Sequence, residues 1–542
     1  ALPIYADKIN PNYKITGNKI GRVALYVTDS NKLNKVIYVN VVNSDKAIAS
    51  AKVENGDGFT VALRANGEVY SFGLNKSGQL GINSTEDQNA PVKIENSENI
   101  VDISTGKSHT LLLDNNGNVY TFGTNTNGQL GTGNTTTYKA PTKIELNNVI
   151  KVVAKENTSF AITSDGKIYA WGEGYTKSPK ELEVTSSNNE FTKVIDISKN
   201  YFLAEDGIVR KLSDQSKIEL SSDNSASNKN PTIVNTRVVQ ISESNDMLVM
   251  LGEDGRVYTY GTNTYGELGD GTTVSQNNLV STIVKVEDGN ILENVKEVSA
   301  GYRYAVAVTT DNRVYTWGIN SKMQLGESNV LETGGIQESH YAILKEDVKN
   351  VERVSAGIDH TSIYEKDGNV YTWGNGENGQ LGNASNFTNS KAQLVGKTNI
   401  VSNTTEILLE EGDSFEIDSQ IDYFNLFTKK EADITYEILD PENATIDSTS
   451  GKVVAVKEGR TAVIAKEKDT EKTAVIPVRV LAKGSKSDNV NILIEPQVLT
   501  AGNHTVMLKT NGTVWTYGIG NDGELGLGDV TQTDNPEKVD FG

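Results

Sequence analysis

The hydrophobic and polar positions of this chain repeat one short pattern from one end of the sequence to the other. In its clearest copy, three short apolar strands are predicted between residues 101 and 122. Asn115-Asn-Gly117 separates the second strand from the third, and Asn and Gly tolerate the positive φ of a two-residue hairpin turn. The loop Gly128-Gln-Leu-Gly131 follows. Ala140-Pro-Thr-Lys-Ile144 then begins the next unit as an edge strand that accepts a proline.

Eight copies of this repeat run along the chain. Each ends its third strand in a motif of the type Asp-Gly-x-Val-Tyr-x-Trp-Gly, although the fourth copy is decayed. The closing residues are 50, 49, 41, 48, 57, 56 and then 144 positions apart. The first six steps give a period of about 50 residues, as in propeller blades, and the last step is long by about 90, enough for one inserted domain. The copies close at Gly73, Gly123, Gly172, Ser213, Gly261, Gly318, Gly374 and Gly518.

The repeat predicts an all-β fold. About four antiparallel strands per copy form a sheet that cannot bury both of its faces alone, whereas a ring of such sheets can and leaves few exposed edges. The expected domains are residues 1–45, outside the repeat; 46–400, with seven copies; 401–484, an inserted domain; and 485–542, with the eighth copy.

Three motifs carry a family resemblance: Ala356-Gly-Ile-Asp-His-Thr361, the Asp-Gly-x-Val-Tyr-x-Trp-Gly segment and Gly-Gln-Leu-Gly. With them, about three quarters of the chain resembles the RCC1 (regulator of chromosome condensation 1) repeat family. The resemblance implies a seven-bladed β-propeller. We expect residues 391–395 of the seventh copy to return to the first blade and close the ring. The alternative is an eight-bladed ring closed by residues 535–539, with 401–484 inserted before its last blade.

Residues 401–484 show short alternating strands at the spacing of a small sandwich. Hairpins are predicted over 407–417 and 444–456, and a central strand over 434–439. The segment resembles bacterial Ig-like domains of group 2, with Tyr436 in the place of the usual Trp. The resemblance implies an Ig-like β-sandwich of a kind common in bacterial surface and adhesive proteins. Residues 1–45 share the layout of its last two strands, so we interpret them as a partial Ig-like domain.

The chain is acidic and has no cysteine. Its formal charge is 51 − 71 = −20, and such a surface repels phosphate backbones, so nucleic acid is a poor partner. Disulfides, thiol catalysis and cysteine metal sites are excluded. No apolar run is long enough to span a bilayer. The stretch Ala1-Leu-Pro-Ile-Tyr-Ala6 is either the tail of a signal peptide cleaved after Ala6 or an ordinary strand edge.

No catalytic set, cofactor site or metal site is predicted. His109, His360 and His504 share one repeat position, where other copies place Phe or Met, so we interpret them as structural. The Gly-x-Gly-x-x-Gly matches at 374–379 and 518–523 follow strands but open no helix, and phosphate binding needs the N-terminus of that helix.

Recognition is expected where the copies differ. The two longest steps contain expanded loops, 270–292 and 326–348, and loop expansions on a repeat scaffold often lie at its binding face. Within the second loop, His340 and Tyr341 are the candidate binding residues, for a protein or a surface glycan. The alternative is a longer turn without a binding role.

Together these features favour a non-enzymatic binding or architectural protein, extracellular or at the surface of a bacterium. One alternative is a secreted inhibitor of an enzyme, the role of one bacterial propeller of the RCC1 family. Another is a guanine-nucleotide exchange factor, the activity of the founding member. The partial domain at the N-terminus and the single repeat at the C-terminus also predict head-to-tail self-association through a donated strand or blade.

Overall fold

The structure is a computed structural model that describes most of the 542 residues. The described ranges are 4–6, 21–28, 34–41, 48–97, 99–185, 194–204, 206–212, 217–219, 236–244, 247–276, 281–328, 335–427, 433–468, 472–484, 497–501, 504–509, 513–519, 525–527 and 532–539. All regular elements in these ranges are β-strands, which confirms the predicted all-β class. They belong to two compact units: Ala1–Lys397 with Tyr423–Lys430 (unit 1), and Thr398–Asp422 with Glu431–Gly542 (unit 2).

Unit 1 begins with a small sheet of β1 (Ile4–Ala6), β2 (Gly21–Thr28) and β3 (Asn34–Val41). β2 and β3 pair antiparallel, as the two strands predicted there require, and β1 pairs parallel with β2. That these residues form a partial Ig-like domain stays a prediction.

Seven successive sheets follow in the described part of unit 1. Sheet 1 contains β4 (Lys52–Asn55), β5 (Phe59–Leu63), β6 (Val69–Gly73) and β7 (Gln88–Lys93). Sheet 2 contains β8 (Ile100–Thr105), β9 (His109–Asp114), β10 (Val119–Gly123) and β11 (Tyr138–Lys143). Sheet 3 contains β12 (Val149–Lys155), β13 (Thr158–Thr163), β14 (Ile168–Gly172) and β15 (Lys180–Thr185).

The fourth sheet contains β16 (Val194–Ile197), β17 (Tyr201–Ala204) and β18 (Val209–Lys211), while β19 (Lys217–Glu219) pairs with β15 of sheet 3. Sheet 5 contains β20 (Val238–Ser244), β21 (Met247–Gly252), β22 (Val257–Gly261) and β23 (Thr282–Ile283). Sheet 6 contains β24 (Val295–Gly301), β25 (Tyr304–Thr309), β26 (Val314–Ile319) and β27 (Glu338–Leu344). Sheet 7 contains β28 (Val351–Ala356), β29 (His360–Glu365), β30 (Val370–Gly374) and β31 (Asn389–Leu394).

The fourth strand of each four-stranded sheet pairs with the third strand of its own repeat. The prediction that this proline-containing strand begins the next blade is therefore wrong. β11 pairs with β10, and β31 pairs with β30 rather than returning to sheet 1. A buried asparagine is the physical reason. Asn125 accepts a hydrogen bond from Leu130 N and donates to the carbonyls of Asn134 and Thr136, which folds the loop back onto its own third strand. Asn75, Asn263 and Asn320 make the corresponding bonds.

Neighbouring sheets are joined by a repeated hydrogen bond from an inner-strand amide to a serine hydroxyl of the preceding sheet. Asn55 N of sheet 1 donates to Ser355 Oγ of sheet 7 at 3.0 Å. The last sheet therefore meets the first through the contact that also joins the internal sheets, as a ring of seven predicts. The internal bonds run from Ala154 N to Ser104 Oγ, from Ala300 N to Ser242 Oγ and from Ala356 N to Ser299 Oγ.

A second repeated contact places an aromatic ring of one sheet on a glycine of the preceding sheet. Trp171 Nε1 donates to Gln129 O at 2.9 Å, and a β-carbon added at Gly131 would lie 2.8 Å from Trp171 Nε1. Only glycine leaves room for the ring at this position, which we call the glycine slot. The φ of 73° at Gly131 also favours glycine. The other pairs are Phe122 on Gly81, Trp317 on Gly269 and Phe72 on Gly382.

The inner strands carry charges that pair from one sheet to the next. Lys52 Nζ lies 3.0 Å from Asp102 Oδ1, and Lys151 Nζ lies 2.5 Å from Asp196 Oδ1. Burial disfavours the charged form of Lys52, but Asp102 and Glu54 outweigh burial and raise its pKa. Each of these half-buried lysines therefore has a carboxylate of the adjacent sheet as its partner, and Lys52 also has Glu54 of its own strand.

Two of the three repeat-position histidines, His109 and His360, are fully buried in unit 1, whereas His504 is half-buried in unit 2. His109 Nε2 lies 2.8 Å from Ser159 Oγ of the next sheet, and burial lowers the pKa of His109 from 6.5 to about 3. His360 Nε2 likewise lies 3.0 Å from Thr60 Oγ1. These contacts agree with the structural interpretation of the two residues.

The lowered pKa of His109 predicts acid sensitivity. Between pH 6.5 and about 3 the unfolded chain binds a proton at this residue that the folded chain does not, so acidification favours unfolding. We expect His109→Phe to lose about 1 kcal/mol at pH 7 with its hydrogen bond, yet to lose less stability than the parent chain on acidification, by at most ~1.4 kcal/mol per pH unit. Urea unfolding at pH 7 and pH 5 measures this, and parallel pH profiles would contradict it.

Residues 424–427, here called the closing strap, belong to unit 1 although they lie within the range predicted for the Ig-like domain. The Phe424 ring packs edge-on against Tyr70, 5.0 Å between centroids, and beneath the Arg64 guanidinium at 4.8 Å. Leu426 N donates to Gly368 O, and Leu426 O accepts from Ala65 N, each at 2.9 Å. The strap thus joins sheet 1 to sheet 7.

The described residues of unit 2 include a β-sandwich whose core contains Tyr436. A separate two-stranded sheet pairs β32 (Gly396–Ser402) with β35 (Ser419–Tyr423). One sheet of the sandwich runs in the order β33 (Ile407–Glu410), β40 (Thr473–Leu481), β39 (Gly459–Glu467), β36 (Ile434–Ile438). The other runs β34 (Ser414–Glu416), β38 (Lys452–Ala455), β37 (Ala444–Ile446).

Two predictions for this sandwich are wrong. Residues 407–417 do not form a hairpin, because Glu411 N donates to Leu481 O while Gly412 N donates to Ala455 O, so the turn carries the chain from one sheet to the other. The strand predicted as central, β36, pairs only with β39 and lies at an edge of its sheet. The predicted hairpin of β37 and β38 is confirmed.

The eighth repeat forms a sheet of its own in unit 2. Its strands are β41 (Gln497–Ala501), β42 (His504–Leu508), β43 (Val514–Ile519) and β44 (Gln532–Lys538), paired in chain order. Trp515 pairs with Lys538 on β44, so closure of sheet 1 through residues 535–539 is wrong. The number of blades stays a prediction of seven, which the contacts between sheets 7 and 1 support.

Candidate functional site

One end of the sheets of unit 1 brings the variable loops together. Because successive strands are antiparallel, the turn between the first two strands and the loop between the last two lie at the same end of each sheet. Between sheets 5 and 6, this end contains both residues that the sequence singled out.

His340 and Tyr341 lie on β27, not in a loop as predicted. Thr316 pairs with Ile343 and Gly318 with Ser339, so residues 340–342 form a bulge opposite Trp317. A β-carbon added at Gly266 of sheet 5 would lie 2.6 Å from His340 Cα. Other sheets place a different residue on the equivalent glycine, namely Lys139 on Gly78, Lys177 on Gly128 and Asn89 on Gly379. The packing of this backbone position on a glycine of the preceding sheet therefore recurs in several sheets, and sheet 6 differs only in having a histidine side chain there.

Both side chains have partners that the sequence did not indicate. His340 Nε2 lies 3.0 Å from Glu338 Oε1. The Tyr341 ring covers Gly271, where an added β-carbon would lie 2.7 Å from the phenol oxygen. Gly271 N donates to His340 O at 2.9 Å. The two expanded loops thus meet along β27.

Sequence reasoning missed the charged group at this end of the sheets. The guanidinium carbon of Arg303 lies 5.1 Å from the Tyr265 ring centroid and 5.3 Å from that of Tyr302. Tyr302 is 38% exposed. Tyr265 directly precedes Gly266, on which His340 packs. We call Tyr265, Tyr302, Arg303, His340 and Tyr341 the seam patch.

Arg303 is held under strain and with one donor unused. Its φ is 59°, a left-handed conformation that costs a non-glycine residue about 1 kcal/mol or more. Among the described residues, no hydrogen-bond acceptor is found for its buried Nε. The sequence offered one signal, a positive charge at a position where other copies have small, polar or acidic residues such as Gly58, Ser108 and Asp359.

The seam patch has the chemistry of a protein-recognition surface. Contact with aromatic rings restricts an arginine side chain, whose planar donors match a carboxylate or a carbonyl. Tyrosine and arginine are also enriched among the residues that dominate binding energy at protein interfaces. In a chain with a formal charge of −20, this patch offers a cation to an anionic partner.

A second opening lies at the other end of the same two sheets. It has a volume of about 300 Å³ and is lined in part by Val286, Ile291 and Tyr315. Its charged groups are already paired, Arg313 with Asp311 at 2.7 Å and Glu293 with Arg256 at 2.7 Å. The seam patch, which combines the exposed Tyr302 with an arginine for which the described residues show no ion pair, is the better candidate.

Within the described ranges, no group of three or more His, Asp or Glu side chains is arranged to hold a metal ion. The same ranges contain no helix that is long and apolar enough to cross a membrane.

Comparison with known families agrees with the repeat and with the sandwich. The regulator of chromosome condensation (RCC1) repeat matches residues 66–113, 116–162, 254–308 and 367–401. A second family of the same description matches 50–79, 100–129, 295–324 and 351–380. The bacterial Ig-like domain (group 2) matches residues 397–478.

Similar proteins share the repeats over part of their length. The ultraviolet-B receptor UVR8 of Arabidopsis thaliana is 28% identical over 336 residues, 60% of this chain and 53% of that protein. The guanine nucleotide exchange factor SRM1 of Saccharomyces cerevisiae is 25% identical over 228 residues, 42% of this chain and 40% of that protein. The chain thus spans about half the length of these relatives or less.

Among solved structures, yeast RCC1 (Prp20), crystallised with Kap60, is 17% identical with a TM-score of 0.36. That alignment covers 97% of this chain and 91% of the yeast chain. From the family matches and the repeated sheets, the chain contains RCC1 repeats of a propeller-type fold and a bacterial Ig-like domain of group 2.

Proposed function

We propose that this chain is a non-enzymatic binding protein of a bacterial surface and that it recognises a protein partner through the seam patch. The observation that carries the proposal is the group of Arg303, Tyr265 and Tyr302, in which the guanidinium carbon of Arg303 lies 5.1 and 5.3 Å from the two ring centroids and Tyr302 is exposed. A partner carboxylate or main-chain carbonyl binds the part of this half-buried arginine side chain that reaches solvent. A surface glycan that stacks on Tyr302 is the alternative occupant.

The domain composition supports the extracellular setting. Group 2 Ig-like domains are named for bacteria, and this one lies beside the RCC1 repeats in the chain. The absence of cysteine and the formal charge of −20 are compatible with an exposed, soluble surface. Protease treatment of intact and of lysed host cells tests the location. Degradation only after lysis would contradict a surface protein.

Photocrosslinking tests the recognition surface. We expect benzoylphenylalanine in place of Tyr302 to give a discrete protein adduct on intact host cells, because this side chain borders the Arg303 guanidinium. Benzoylphenylalanine in place of Phe387, which is 79% exposed in unit 1, is the matched control. Adding Arg303→Ala to the Tyr302 probe should abolish the adduct. The same adducts from both probe positions would contradict a specific site.

Guanine-nucleotide exchange is the second candidate, because one relative is named as an exchange factor. A nucleotide-release assay on small GTPases decides it. Accelerated release by this chain would replace the surface proposal, whereas an unchanged release rate would leave exchange without support.

A further inference from the structure

The eighth repeat exposes a face that is covered in every comparable sheet of unit 1. Val498 pairs with Met507 as Ile103 pairs with Leu112 in sheet 2. Val498 is 67% exposed, although the equivalent residues are at most 8% exposed. Those equivalents are Val53, Ile103, Val152, Ile241, Val298 and Val354. The neighbouring sheet covers this position in unit 1, whereas no described residue of unit 2 covers it at Val498.

The glycine slot of the eighth repeat is empty. Gly526 has the left-handed φ of 64° found at the equivalent Gly269, and Leu525 beside it is buried like Leu268. An added β-carbon at Gly269 would lie 2.8 Å from Trp317 of the next sheet. At Gly526, within the described residues, such a carbon would approach only Val539 of the same repeat, at 3.4 Å. In the described part of unit 2, no aromatic ring lies on Gly526 as Trp317 lies on Gly269.

The same repeat also carries an aromatic ring, Tyr517, at the position whose ring lies on a glycine in several sheets of unit 1. Tyr517 precedes Gly518 on β43 as Phe122 precedes Gly123 on β10. In the described ranges, no glycine has Tyr517 among its nearest neighbours, whereas Phe72, Phe122, Trp171 and Trp317 all lie on one. One sheet thus presents both halves of the contact that joins sheets in unit 1.

We propose that the eighth repeat binds the eighth repeat of a second copy of this chain, with Tyr517 of one copy on Gly526 of the next. The occupant is another copy because the slot and the ring lie on one repeat and complement each other. The contact joins two different surfaces, so it is head-to-tail and extends to a third copy or closes a small ring. The seam patch lies in unit 1, so this association is independent of the proposed function.

Disulfide trapping tests the contact directly, because the chain has no cysteine of its own. Ile82, the equivalent of Leu527, packs against the core cluster that contains Phe122. We therefore expect Tyr517→Cys and Leu527→Cys chains, mixed under mild oxidation, to form a covalent mixed dimer. Val475→Cys, at a valine 62% exposed in unit 2, replaces Leu527→Cys in the control. A mixed dimer no more abundant than with Val475→Cys would overturn the proposal.

Sedimentation of the full chain gives a second readout. We expect association that depends on concentration and is weakened tenfold or more by Val498→Asp, since the contact would bury that charge without a partner. Val475→Asp should leave association unchanged. Both valines are mostly exposed, so neither change disturbs the fold of the single chain. A monomer at all concentrations, or equal effects of the two variants, would overturn the proposal.

Discussion

Replacing Trp317 with alanine is expected to lower the free energy of unfolding of unit 1 by about 3–5 kcal/mol. The ring is fully buried, lies on Gly269 and donates from Nε1 to Glu267 O at 2.8 Å. The change leaves a cavity between sheets 5 and 6 and an unpaired carbonyl. Urea unfolding followed by tryptophan fluorescence measures the loss, with Trp171 and Trp373 as the remaining reporters in unit 1.

Two variants distinguish the contact of the Trp317 ring with Gly269 from the general effect of losing a large side chain. Trp317→Phe should cost only about 1 kcal/mol, the worth of the lost hydrogen bond, because Phe72 and Phe122 occupy the equivalent position in other sheets. Tyr517→Ala, in the eighth repeat, should cost less than Trp317→Ala at concentrations where the chain is monomeric. If Trp317→Ala and Trp317→Phe lower the free energy of unfolding equally, the aromatic ring does not stabilise the contact between sheets 5 and 6.

The second large effect is expected at the closing strap. Phe424→Ala should destabilise unit 1 by about 3–5 kcal/mol, because the ring is buried against Tyr70 and Arg64 where sheet 1 meets sheet 7. In the variant, no phenyl group packs over the contact between sheets 1 and 7. Urea unfolding of the full chain measures the change, with circular dichroism to confirm that the folded state is retained.

Leu439→Ala is the matched control for the strap. Leu439 lies in the same inserted range of the sequence but is 61% exposed, so its loss should change stability by less than 0.5 kcal/mol. If Phe424→Ala costs no more than Leu439→Ala, the strap does not stabilise unit 1.

The repeats could be predicted from the sequence because each strand has its own apolar pattern and the glycines recur with it. The sheet that the proline-containing strand joins could not be predicted, because this strand is equally close in sequence to the sheets on either side. The decision rests on side chains such as Asn125, whose hydrogen bonds to loop carbonyls leave no periodic signal. The strap was missed for a related reason, because Phe424 and Leu426 have the composition of any short strand and their partner sheets are distant in sequence.

The candidate site was predicted only in part. Loop length directed attention to His340 and Tyr341, and the structure brings them beside Gly266 and Gly271. Arg303 and its two tyrosines come from separate turns in sheets 5 and 6, and only the packing of those sheets makes them neighbours. A single sequence carries no pattern for such a stack, although the charge of Arg303 at a turn position that holds small or polar residues in several copies was visible in it.

The paired charges of the inner strands affect the order in which sheets 1 to 4 assemble. The serine hydrogen bond and the contact of a ring with a glycine recur between several sheets, so they would also accept a wrong neighbour, and misassembly is a characteristic failure of repeat proteins. Lys52 faces Asp102, and Lys151 faces Asp196. If sheet 2 were skipped, Lys52 would meet Lys151, and if sheet 3 were skipped, Asp102 would meet Asp196. Repulsion between like charges therefore penalises each of these two omissions, and the alternation of sign across sheets 1 to 4 favours their correct order during folding.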